Sequence, residues 1–189
     1  MPANDPQRLV DLIGDLVAQG EVSWVEFKLN NTDPEVIGVR VSAISNAARL
    51  AGQQSGYMLW GIDDASTSIV GTTFDPDKEK VGNQVLGFWL AQQLAPSIPF
   101  QFHKVVHPSG RLVLLEIPAA TTTPVAFKNI QYLRIGSATP KLTDYPDRYQ
   151  ALLTALRPYA WEHGGALQYV TSDDVLALLD YAQYFRLTK

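Results

Sequence analysis

Apolar positions set a helical period from the start of the chain. Leu9, Ile13, Leu16 and Val17 stand at i, i+4, i+7 and i+8, and Gly20 follows as a stop, so the pattern predicts an opening amphipathic helix. A strand over residues 22–29 comes next. Asp33 or Thr32 caps a second helix whose first turn holds Pro34 and Glu35, whose buried face is Ile37, Val41, Ile44 and Ala48, and which Gly52 ends. The apolar run YMLWGI, the turn DDAS and the run SIVGTTF predict a hairpin over residues 57–74, with Asp63 and Asp64 at its tip.

The second half reads in the same way. Val81, Val85, Phe88 and Trp89 predict a helix over 77–94, stopped before Pro96 and Pro99. FQFHKVVH and RLVLLEI flank the turn PSG as a hairpin, and IQYLRIG is a further strand reached through TTTPVAFKN. Asp144 and Pro146 open a helix carrying Leu152, Leu153 and Leu156. After a break at Gly164 and Gly165, Thr171 and Asp174 form a capping box for a last helix over 173–185. Helices interspersed with hairpins imply an α+β fold: a mixed β-sheet with helices packed on it as a two-layer sandwich, covered on at least one face.

One stretch, GEVSWVEFKLN, combines this strand pattern with unusual charge. In a strand, Glu26 and Lys28 share a face while Val25 and Phe27 take the other, and Glu21 has the wrong parity to join them. A bend near Gly20 or Ser23 would bring two carboxylates and an ammonium to one spot. That geometry suits a metal or phosphate site, and equally a salt-bridged sheet edge.

Composition narrows the chemistry. The 189 residues are 46% apolar, enough for a full core. No run approaches the roughly 18 apolar residues of a membrane helix, and no basic stretch precedes an apolar one at the N-terminus, so no membrane partner is expected and the cytoplasm is the expected location. With no cysteine, disulfides, thiol catalysis and thiolate zinc sites are excluded, and any metal must use oxygen or imidazole. Gly-x4-Gly-Lys-Ser/Thr, Gly-x-Gly-x-x-Gly and Gly-x-Ser-x-Gly motifs are missing, so nothing in the residues supports ATP hydrolysis, helicase activity or serine chemistry. His103 and His107 lie about 13 Å apart on a strand and read as strand surface or core, not a metal pair. Trp24, Trp60, Trp89 and Trp161 read as core.

The net charge of −4 is unevenly spread. Residues 1–99 hold 6 Lys/Arg against 12 Asp/Glu, residues 100–143 hold 5 against 1, and residues 144–189 hold 4 against 6. The middle block contains Lys104, Arg111, Lys128, Arg134 and Lys141, with Glu116 as its one acid. Lys28, Arg134 and some of Lys104, Arg111, Lys128 and Lys141 are expected to form one positive surface that contacts nucleic acid; the alternative is that these cations are solvated strand faces. Tyr132 and Arg134 share a strand face and are further candidates for such contact.

GEVSWVEFKLN, the helix VSAISNAA, YMLWGIDDASTSIVGT and FKNIQYLRIGSAT together resemble the ordered motifs of the Schlafen AlbA-like domain family over roughly residues 10–157. That family, linked to DNA binding and to a divergent AAA-type fold, occurs in bacterial transcription-regulator-like and RecG-helicase-related proteins. One departure stands out. Where the family commonly has Asn-Thr-x-Gly-Gly, Asn46 is followed here by AARLAGQQSG, a longer loop in which Gly52 and Gly56 are expected to supply the permissive conformations.

The resemblance implies a domain over residues 1–160 and, over 161–189, a linker and helix leading toward a winged-helix-type region. It implies nucleic acid, DNA or RNA, as the partner, with a homodimer as a further expectation, and a nucleic-acid-binding module of a transcriptional-regulator-like protein as the function. It also implies an alternative. Schlafen proteins that cut RNA use two glutamates at this spacing and a later aspartate; by motif position these are Glu21, Glu26 and Asp64, with Asp63 next. They would hold Mg2+ or Mn2+ for endonucleolytic cleavage of structured RNA, with Lys28 on the phosphate backbone. A nucleotide-sensing or protein-interaction module is the third class.

Overall fold

The computed structural model of the protein describes residues 6–63 and 66–157. The predicted last helix, Trp161 and the proposed 161–189 segment lie outside those residues. The compact unit that holds the described residues ends at Arg157.

Among the described residues four α-helices and nine strands follow one another: α1 (Pro6–Gln19), β1 (Val25–Lys28), α2 (Pro34–Leu50), β2 (Ser55–Trp60), β3 (Lys80–Val81), β4 (Gln84–Val85), α3 (Leu86–Gln93), β5 (Leu94–Ala95), β6 (Gln101–His107), β7 (Gly110–Pro118), β8 (Ala126–Phe127), β9 (Ile130–Gln131) and α4 (Pro146–Leu156). The main sheet has the order β1-β2-β7-β6, with β1 and β2 parallel and the other pairs antiparallel. A crossover through α2 is what makes the parallel pair available, since parallel neighbours cannot be joined by a tight turn. The fold is α+β, as the pattern predicts.

Strand parity assigns the two cores. Met58, Trp60, Val113, Leu115 and Ile117 face α2, joining Ile37, Val41 and Ile44 in the larger cluster, which Leu90 of α3 and Leu152 of α4 complete. Val25, Phe27, Leu59, Leu112 and Leu114 face the other way, against Ile13 and Leu16 of α1. The sheet thus carries a helix on each face, and Glu26 and Lys28 necessarily project to the α2 side. His103 is buried on the α1 side, its Nε2 3.3 Å from Glu116 Oε2.

Three predicted elements differ. The return arm of the 57–74 hairpin is not a strand: Ile62 and Ile69 make an isolated bridge, because β2 already has β1 on one side and β7 on the other. The helix predicted over 77–94 is shortened to α3. The chain reverses at Gly82 and Asn83 into the β3–β4 ribbon, and Phe88, meant for the buried face, is 60% exposed while Leu86 and Leu90 are buried. IQYLRIG pairs as a strand only through β9, because α2 captures the backbone beyond it.

That capture explains the buried polar residues of α2. Ser42 Oγ donates to the Val125 carbonyl (2.7 Å) and accepts from the Tyr132 N–H (3.1 Å). Asn46 donates to the carbonyls of Val125 and Tyr132 (2.9 Å each) and accepts from the Val125 N–H (2.8 Å). The two side chains act as a surrogate strand edge on which the 125–132 hairpin docks. The helix runs on past Asn46 to Leu50, so the expected long loop is only residues 51–54. There Gly52 has φ +68°, as expected. Gly56 has another role: a Cβ would sit 2.4 Å from Ile44 Cγ2 and 2.8 Å from the Trp24 carbonyl, so glycine lets α2 approach β2.

Candidate functional site

The chain does bend between the two glutamates. Gly20 ends α1 with φ +78°, and a turn closed by the Val25 N–H on the Val22 carbonyl (3.1 Å) carries Ser23 and Trp24. Glu21 folds back alongside β1 and accepts a hydrogen bond from the Phe27 N–H (2.7 Å). The turn overcomes the parity mismatch, and the two carboxylates converge.

They converge on a guanidinium. Arg134 donates from Nε to Glu26 Oε2 (2.6 Å), from Nη2 to Glu21 Oε2 (2.8 Å), and from Nη1 to the Val22 carbonyl, with Nη2 also 2.5 Å from Glu26 Oε2. The second oxygen of Glu26 faces Lys28 Nζ (2.8 Å) and Arg40 Nε (3.3 Å). Glu26 and Arg134 are buried, Lys28 and Arg40 are half-buried, and Glu21 is the most exposed member. Two carboxylates thus meet three cations. Above them opens a cleft of about 390 Å³ lined by Glu21, Glu26, Lys28, Arg40, Thr67 and Ser137.

Arg40 is the residue that sequence reasoning missed. It stands beside the buried face of α2 and also donates to the Ser137 carbonyl (3.1 Å), tying the helix to the turn bridged by Ile135 and Ala138. The signal was present: it is the one charged residue of α2 between Glu35 and Arg49.

The other predicted site residues lie elsewhere. Lys104 pairs with Asp77 (2.5 Å) and Asp75 (3.4 Å), and Arg111 donates to the Phe74 carbonyl (2.8 Å) near Asp75. Lys128 pairs with Glu35 and lies 5.5 Å from the Trp89 ring centroid. Tyr132 packs against the main core, and Lys141, opposite it in an isolated bridge, is exposed. Lys104, Arg111 and Lys128 of the basic middle block thus meet carboxylates of the acidic first block. Asp63 accepts from the Ser66 N–H (2.8 Å) and hydroxyl (2.7 Å) within its own turn. Asp64 lies outside the described residues.

A divalent metal on Glu21 and Glu26 does not fit this donor set. Both oxygens of each carboxylate have donors, and the Arg134 guanidinium stands where the cation would bind. Among the described residues no group of three His, Cys, Asp or Glu is placed to hold a metal ion.

Residues 21–143 match the family described as Schlafen, AlbA_2. The chain belongs to that family. The matched segment begins at Glu21 and takes in every residue of the Glu21–Glu26–Arg134 cluster, and Schlafen, AlbA_2 membership supports a nucleic-acid-associated module. No curated protein matches the chain. Among solved structures, it is similar to the DIP2311 protein from Corynebacterium diphtheriae, with 16% identity over 71% of this chain and a TM-score of 0.42; the chain spans about a quarter, 26%, of that protein. It is also similar to the N-terminal domain of an ATP-dependent DNA helicase RecG-related protein from Nitrosomonas europaea, with 25% identity, 68% of this chain and 88% of that domain covered, and a TM-score of 0.43. No described helix is long and apolar enough to cross a membrane.

Proposed function

We propose that this Schlafen, AlbA_2 domain is a nucleic-acid-binding module, within a transcription-regulator-like cytoplasmic protein, and that its cleft receives a backbone phosphate. The observation that carries this reading is the charge of the cleft floor. Three cations exceed two carboxylates, Lys28 and Arg40 are half-buried at the opening, and Thr67 and Ser137 line the cleft beside them. A partly desolvated surplus of positive charge attracts anions, and Arg in particular matches phosphate geometry.

Fluorescence anisotropy of labelled single-stranded RNA, structured RNA and duplex DNA, all in EDTA, tests it. Binding should occur without metal and weaken with salt, and each of Lys28→Ala and Arg40→Ala should lower affinity for every sequence and reduce the salt slope by about one. Equal affinity in wild type and both variants would refute the assignment of the cleft. Cleavage of structured RNA that requires Mg2+ or Mn2+ and is lost in Glu26→Ala would instead support a metal-dependent endoribonuclease. Thermal stabilisation by a mononucleotide but not by oligonucleotides would favour nucleotide sensing.

A further inference from the structure

The Schlafen resemblance makes Glu21 and Glu26 candidate metal ligands, yet here a side chain lies between them. Arg134 uses all three guanidinium nitrogens: Nε and Nη2 on Glu26, Nη2 on Glu21 as well, and Nη1 on the Val22 carbonyl of the turn that brings the glutamates together. We infer that Arg134 is the permanent counter-cation of the Glu21–Glu26 pair and that it excludes divalent metal ions from the site.

Two further features hold this arrangement in place. The backbone that carries Arg134 is fixed on both sides. Asn46 and Ser42 hold Tyr132, the Leu133 N–H donates to the Pro140 carbonyl (3.1 Å), and Ile135 and Ala138 exchange hydrogen bonds (3.0 and 3.1 Å). Arg134 is only 3% exposed, so withdrawing it would deprive the buried carboxylate of Glu26 of its nearest counter-charge. Charge acts in the same direction. The cluster already has three cations for two carboxylates, and a divalent ion would join like charges at short range. Arginine also suits a permanent role, since it stays protonated at any ordinary pH and its planar fork can serve two carboxylates at once.

The metal exclusion stands independently of the nucleic-acid reading, and its test contains no nucleic acid. Mn2+ is titrated into the full chain at neutral pH and the free ion is followed by electron paramagnetic resonance, for wild type, Arg134→Ala and Glu26→Gln. Wild type should leave the free Mn2+ signal unchanged. Folded Arg134→Ala, with the carboxylate pair vacated, should bind Mn2+ at least about tenfold more tightly than wild type. Uptake of one Mn2+ per chain by wild type, lost in Glu26→Gln, would overturn the inference, as would a folded Arg134→Ala variant that gains no affinity. If Arg134→Ala does not fold, the wild-type and Glu26→Gln titrations decide it by the same criterion.

Discussion

Glu26 is 2% exposed and balances Arg134, Lys28 and Arg40. Removing one partner of a buried ion pair leaves the others uncompensated, at a cost of about 3–5 kcal/mol. Glu26→Ala should therefore lower the melting temperature by about 6–20 °C, at 2–4 °C per kcal/mol for a domain of this size. Glu21, whose side chain is 38% exposed, should lose about 1 kcal/mol or less on truncation to alanine. Equal melting temperatures for the two variants would contradict the assigned burial. Asp75 gives a pH signature. Burial raises its carboxyl pKa, but the charge of Lys104, the Asp77 N–H and the charge of Lys78 outweigh this and hold it below the ordinary value. A depressed folded pKa contributes stability that is present above the unfolded value and lost as pH falls through the folded one. The stability gap between wild type and Lys104→Met, followed by urea denaturation, should therefore narrow on acidification below the usual aspartate range; a gap that widens there would contradict the pairing. At this scale the sequence was half legible. Parity placed Glu26 with Lys28, and the parity conflict required the bend at Glu21. Arg134 could not be recognised as their partner, because it lies 108 positions beyond Glu26 and nothing local signals the contact.

Among the elements, α2 does more than cover the sheet. Asn46 makes three hydrogen bonds to the backbone of Val125 and Tyr132 in a buried setting, so Asn46→Ala would leave the Val125 N–H and the Tyr132 carbonyl unpaired at about 1–3 kcal/mol each, while the Val125 carbonyl keeps Ser42 Oγ. The variant should melt at least about 5 °C lower, and amide exchange should quicken first in residues 125–135. Uniform exchange across the domain would contradict the docking role. Helices α1, α2 and α4 and the β6–β7 hairpin were legible because their apolar periodicity agrees with their packing, and for α2 because Asp33 caps it as read, its side chain accepting from the Glu35 N–H. The return arm at 61–74 was not, since local pattern does not reveal that both edges of β2 are already taken. Nor was the break before α3: Val81, Val85, Phe88 and Trp89 keep a helical spacing through Gly82, where the chain reverses.

Across the whole molecule, charge is segregated along the sequence and recombined in the fold. The basic stretch 100–143 meets the acidic first block at Lys104 with Asp75 and Asp77, at Lys128 with Glu35, and at Arg134 with Glu21 and Glu26. What the sequence presents as one positive patch is largely a set of ion pairs. The cleft over Lys28 and Arg40 stands out by its surplus of cations. The most direct test of the account is chemical-shift mapping of the 15N-labelled protein with a short single-stranded oligonucleotide in EDTA. Salt-sensitive shifts are expected to concentrate at Phe27, Lys28, Arg40, Thr67 and Ser137. Shifts confined to α1 and β6 on the opposite face, or appearing only when Mn2+ is added, would contradict it.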